Sequence, residues 1–302
     1  MSTEWNDHLT SGKFQRVTCR NWRAMLTELR RKLDLFPAGG PKRDKWVFRG
    51  ETDATRALSS TFEREAKRFK VPPEDRPELE RSIIREFRRR AYHYGADLPA
   101  EDRFDEWLAL MRHHGAPVRY VDWTYSPFVA LYFALANAEV GDRIAVWALN
   151  TDWCVRQLEH NHPGIALLYS KYQEKRDGNF FRSALLENQV KMELSINPFR
   201  FNDRLTLQQG VFICPGDTAA TYEENIRGLD EWFLRGSVVQ YVLRIDRPFT
   251  RDEGLLLLHR MNITEATLFP GMDGFARSLG PRIPQLRKQV NGGSEVGFGG
   301  SD

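Results

Sequence analysis

The residues of this 302-residue chain whose types and spacing could do chemistry lie mainly in two short stretches. The first, WVFRGETDATRALSSTFERE (46–65), sets Arg49 at the end of an extended run, directly before Gly50 and Glu51, with Ser59 and Ser60 following. A guanidinium fork suits phosphate or ribose oxygens, and a glycine beside it allows close approach to the backbone. The second, MRHHGAPVRYVDWTYSPFVALYFA (111–134), packs His113, His114, Arg119 and Asp122 into a turn punctuated by Gly115 and Pro117, ahead of an apolar run. Imidazoles titrate near neutrality and could serve as acid, base or phosphate contact. Each of these residues also has a structural reading. The histidines could hydrogen-bond backbone carbonyls, Arg119 and Asp122 could pair with one another, Glu51 could orient Arg49, and Ser59-Ser60-Thr61 could cap a helix. His160 and His162 would share a face of an extended segment, but Pro163 follows and no second ligand pair is legible, so no metal is expected.

Such side chains need elements to position them. The spacing of Trp22, Leu26, Leu29 and Leu33 predicts an amphipathic helix over 21–35, and PAGGPKRD (37–44) ends it in a loop. A strand is expected over 45–50, with Trp46 and Phe48 on one face and Val47 and Arg49 on the other. Helices are expected from Phe62, over 78–94, and over 104–112. The second of these buries Ile83, Ile84, Phe87 and Ala91. It also carries Arg81, Arg85, Arg88, Arg89 and Arg90, as a solvated face or one turned to phosphate. Strands follow over 143–149, 209–214 and 237–245, with a helix over 251–259 and the turn LFPGMDG (268–274) before a terminal helix. Residues 150–195 read as loops with one or two short helices. Helices early and strands late predict an α+β fold.

Composition excludes several classes. With 44 basic and 41 acidic residues the net charge of +3 says little about partners. The three cysteines are widely spaced without a C-x-x-C, which argues against a disulfide framework and fits a reducing compartment. The polar N-terminus is no signal peptide, and the longest apolar run is about half of what a membrane span needs. A soluble, cytoplasmic protein without a membrane partner is expected.

The ordered motifs Phe48-Arg49-Gly50 with Leu58-Ser59-Ser60-Thr61, Arg85-Glu86-Phe87, His113-His114-Gly115-x-Pro117-x-Arg119 with Asp122-Trp123-Thr124, Arg204-x3-Gln208-Gln209-Gly210-x-Phe212 and Leu268-Phe269-Pro270-x2-Asp273-Gly274 resemble the FRG domain over roughly 46–279. His114 stands where the family usually has an aromatic residue, and Val118 where it usually has threonine. The chain then divides into an entry segment over 1–45, an FRG domain over 46–290 as the resemblance implies, and a Gly-rich tail over 291–302 that reads as flexible. More weakly, the aromatic-Arg-Gly at a strand end followed by hydroxyl residues is similar to the first motif of NAD-dependent ADP-ribosyltransferases. That likeness implies a split sheet around a cleft and NAD as the cosubstrate. It also implies a macromolecular target, protein or nucleic acid, in a toxin or phage-defence setting. Arg49, Gly50, Glu51, Ser59, Ser60, His113, Arg119 and Asp122 would then hold NAD. A group near the ribose would stabilise the oxocarbenium-like state of transfer. The late Gln/Glu-x-Glu of the transferase pattern is missing, which leaves Gln208, Gln209 and Glu265 as candidates, and an amide cannot act as a base. A nucleotide- or nucleic-acid-binding module without turnover is the alternative.

Overall fold

The computed structural model describes residues 14–33, 45–95, 98–176, 178, 180–187, 190–198, 203–228 and 236–279. The loop expected over 37–44 and the tail expected over 291–302 lie outside them. Seven strands form one open, mostly antiparallel sheet, in the order β1 (Gln15–Cys19), β7 (Val238–Arg244), β4 (Arg143–Asn150), β2 (Trp46–Glu51), β3 (Val121–Thr124), β6 (Gly210–Pro215) and β5 (Glu193–Ile196). Only β1 and β7 run parallel. The class is α+β, as expected, but the strands are not confined to the second half. β1 in the entry segment forms a sheet edge, and β3 and β5 were not foreseen as strands.

Alternation of side chains across the pleat divides the core in two. Val47, Trp147 and Leu149 face one cluster, and Phe48, Val146 and Ala148 the other. The second face is covered by α1 (Trp22–Leu33), α5 (Pro127–Leu135) and α10 (Pro248–Arg260). The first is covered chiefly by α3 (Arg76–Ala91), α4 (Phe104–His113), α6 (Thr151–Asn161) and α7 (Pro163–Lys175). Burial on both sides explains why β4 reads as a nearly continuous apolar run. Residues 150–195, expected as loops with one or two short helices, hold two full helices, α6 and α7. Asn150 caps α6 by accepting from Trp153 N at 2.9 Å, and Pro163 opens α7. The buried stripe of α7 is Ala166, Tyr169 and Tyr172, whose tyrosines weaken its apolar signal.

The sheet has a seam. β2 pairs with β4 along its whole length, from Trp46↔Asn150 to Glu51↔Ala145, and β3 pairs with β6 over all four of its residues. Between β2 and β3 there is a single pair, Phe48↔Thr124. Beyond it the two strands diverge, so that β1-β7-β4-β2 and β3-β6-β5 form two parts joined at one point. Helix α5 follows β3 at once and folds back over β2. Ser126 caps it, accepting from Val129 N at 3.3 Å, and Pro127 takes its first position.

Candidate functional site

A cleft of about 260 Å³ opens where β2 and β3 part. Arg49, Gly50, Glu51 and Thr52 form one wall, and Asp122, Trp123 and Thr124 the other. Phe133 of α5 closes one side, with Arg204 and Gln208 from α8 (Asp203–Leu207) and the turn after it. Arg204 and Gln208, four positions apart, point the same way, as side chains one helical turn apart do.

Arg49 bridges the opening. Its Nε and Nη2 each lie 2.8 Å from Glu51 Oε1, and its Nη1 donates to the Asp122 carbonyl at 2.6 Å. The guanidinium thus reaches a backbone acceptor of β3 across the seam. The side chain is 21% exposed, and two of its five N–H groups are left for another acceptor. Glu51 also lies 3.8 Å from Arg56, and Asp122 Oδ2 accepts from Arg112 Nε at 3.0 Å. Asp122 therefore pairs with Arg112, not with Arg119.

The rim is strongly basic. Arg64 donates to the Ser59 carbonyl at 2.8 Å, and its pKa is held down first by burial and then by the charges of Arg49 and Arg112. Arg204 stacks its guanidinium 4.7 Å from the Phe269 ring centre and has no carboxylate partner among the described residues. Five arginines (Arg49, Arg56, Arg64, Arg112 and Arg204) thus gather around two carboxylates, Glu51 and Asp122. His113 stands at the same rim. Burial, His114 and Arg204, in that order, lower its pKa, which favours the neutral imidazole.

Other candidates go elsewhere. Arg119 is not in the cleft but fully buried. It forms a bidentate pair with Glu80 (Nε–Oε1 2.8 Å) and donates to the carbonyls of Gly216 at 2.9 Å and of Pro215 and Leu185 at 3.2 Å. Burial opposes this cation, but the charge and hydrogen bonds of Glu80 outweigh it and raise its pKa. Gln209 is also off the cleft wall. Its φ of +47° places it in a left-handed turn that directs it outward, and Gln208 takes the wall position. Gln208 Nε2 donates to the Leu268 carbonyl at 3.0 Å, and its own carbonyl accepts from Thr124 Oγ1 at 2.7 Å.

Glu265 lies outside the wall, accepting from Tyr132 Oη at 2.6 Å and Arg277 Nε at 2.9 Å. Ser60 caps α2 (Thr61–Arg68), accepting from Glu63 N at 3.0 Å, and Ser59 is engaged by Arg64, so both serve the local fold. Gly50 clears room for a helix, not for a ligand. A Cβ there would lie 1.9 Å from the Ala130 carbonyl oxygen of α5.

Behind the floor lies a polar cluster the sequence did not flag. Trp123 Nε1, Tyr222 Oη and both carboxylate oxygens of Glu193 are buried without a partner in hydrogen-bond geometry. Burial drives the Glu193 carboxyl well above the usual carboxylate range, against a smaller lowering influence of Tyr222. Arg56, Arg64, Arg112 and Arg204 were likewise not singled out as site residues. All four stand inside the stretches and motifs that drew attention, Arg56 and Arg64 in 46–65, Arg112 in 111–134 and Arg204 ahead of Gln208, but neither residue type nor spacing separates a rim arginine from a solvated one.

Residues 44–143 match the family model of the FRG domain, which runs from the residue before Lys45 to the first residue of β4 and so includes both walls of the cleft. Comparison with curated proteins and with solved structures returns no match. The sheet extends past the matched span, since β4, β6 and β7 pair with or beyond its strands. No described helix is long and apolar enough to cross a membrane.

Proposed function

We propose, taking as premise that this chain carries an FRG domain, that the cleft between β2 and β3 binds the phosphates of NAD and that the domain acts as an ADP-ribosyltransferase. The observation that carries the proposal is the rim of five arginines around two carboxylates. Such an excess of cations around a concavity raises the local concentration of an anionic ligand and supplies fork-shaped donors for it. A volume of about 260 Å³ accommodates one nucleoside-sized end of the dinucleotide, with the pyrophosphate lying across Arg204 and the spare donors of Arg49. Asp122, with a side chain 42% exposed on the cleft wall, is the carboxylate best placed to stabilise an oxocarbenium-like ribose. Neutral His113 at the rim can accept a proton.

A second reading, binding without turnover, is favoured by a separate observation: every candidate carboxylate is already ion-paired. Glu51 is held by Arg49, Asp122 by Arg112 and Glu265 by Arg277. Incubation of the protein with NAD, with free nicotinamide measured over time, separates the two. Release that is abolished in Asp122→Asn supports transfer. A rise in melting temperature with NAD but no nicotinamide supports binding alone. Neither signal would contradict both readings.

A further inference from the structure

A second concavity, of about 570 Å³ and more than twice the cleft's size, runs along α3. We infer that this groove docks single-stranded nucleic acid, its arginines meeting the phosphates and the exposed Tyr92, with Tyr94 just beyond it in sequence, stacking on bases. Arg81, Arg85, Arg88 and Arg89 line it with Tyr92 and Phe104, and outnumber the two acidic residues of the lining, Glu78 and Glu101. Arg81, Arg85 and Arg88/Arg89 recur once per helical turn, about 6 Å apart. That step places one guanidinium per nucleotide along an extended strand.

Two of the four are fixed in place and two are free to exchange partners. Arg81 Nη1 donates to the Leu186 carbonyl at 2.7 Å. Arg88 donates to the Glu101 carbonyl at 2.9 Å and stacks over Phe104 and Trp107. Arg85 and Arg89, with side chains 69% and 70% exposed, engage partners on their own helix, Glu78 and Ser82 for Arg85 and Glu86 for Arg89. Exposed ion pairs within one helix are weak, and a phosphate offers a better acceptor to the same fork.

The aromatic residues decide for a single strand. Arg88-Arg89-Arg90-Ala91-Tyr92-His93-Tyr94 runs off the end of α3, where Tyr92 is 67% and Tyr94 88% exposed. Rings held in water at the end of a row of arginines form a stacking platform, which unpaired bases can use and the stacked bases of a duplex cannot.

The test is fluorescence anisotropy of the full chain with a labelled oligopyrimidine of about 16 nucleotides, the upper site size of a single-strand binding fold. A duplex of equal length and polyglutamate serve as comparisons. Arg85→Glu with Arg89→Glu should weaken single-strand binding by about tenfold or more and reduce the salt slope by about 1.4, two phosphate contacts at 0.7 each. The milder Arg85→Gln with Arg89→Gln should show the same trend with an unchanged melting temperature. Tyr92→Ala should weaken binding by at least about fivefold. Arg204→Gln at the cleft should leave it unaltered, so this inference stands or falls independently of the NAD reading. Parent-like affinity in the arginine variants, duplex binding as tight as single-strand binding, or effective competition by polyglutamate would overturn it.

Discussion

Arg49 and Arg119 come from neighbouring motifs and look alike in sequence, yet they sit in opposite environments. Arg119 is sealed in the core, where Glu80 and three carbonyls take up its donors. Arg49 stands in the wall of an open cleft, ties Glu51 and the Asp122 carbonyl together across the seam, and keeps donors to spare. The contrast shows that a motif arginine is not defined by its charge but by whether its fork is fully used inside the protein. Arg119 joins α3 to β6 and the π-helical turn Phe181–Glu187, and Arg49 bridges β2 and β3 where their pairing stops.

The largest effect should come from breaking the buried pair. Glu80→Ala leaves an uncompensated guanidinium in the core and is expected to cost on the order of 3–5 kcal/mol. Chemical denaturation should show a lower midpoint. If the midpoint hardly moves, water reaches Arg119 and the contrast fails. Arg49→Lys keeps the charge but loses the fork. It should cost about 1.5–3 kcal/mol of ligand binding, with a smaller loss of stability from the unbridged seam, readable as a titration beside a melting curve. A collapse in stability with ligand affinity per folded molecule intact would place Arg49 with Arg119 as a structural residue.

A smaller effect is expected behind the cleft floor. The folded state holds the Glu193 proton more tightly than the unfolded chain, because burial raises its pKa above the usual 4.5. Below that pH both states are protonated and ionisation makes no difference between them. As pH rises from there toward the folded-state pKa, the unfolded chain alone gains by ionising, so stability drops. Glu193→Gln should therefore match the parent at acidic pH and melt a few degrees higher at neutral pH. Equal melting temperatures at pH 7 would show that Glu193 has a partner.

Much of the frame was legible because it is locally encoded. The residues of β2, α3, β4, β6, β7 and α10 carry their own periodicity or a β-branched run, and each was placed to within a few positions. β1, β3 and β5 were missed because each is only four or five residues long and is made a strand by partners far along the chain, as when Gln15 lies beside Val239. The seam is a matter of register, which no local pattern records. For the same reason the partnership of Arg119 with Glu80, 39 residues apart, was unreadable. At the cleft, Arg49, Glu51 and Asp122 were found from residue type and neighbours. The choice between Gln208 and Gln209 turned on one positive φ.

A nucleotide-phosphate site at the arginine rim is tested most cleanly at Arg204, because no carboxylate among the described residues depends on it. The melting temperature of the parent and of Arg204→Gln should be followed across a series of NAD concentrations. A ligand that binds only the folded state stabilises it by about 2.7 kcal/mol at a hundred times its Kd. The parent should therefore show a steady rise and the variant a rise displaced to about tenfold or more higher concentration, from the same starting temperature. Coincident curves, or a parent that does not respond to NAD at all, would contradict it.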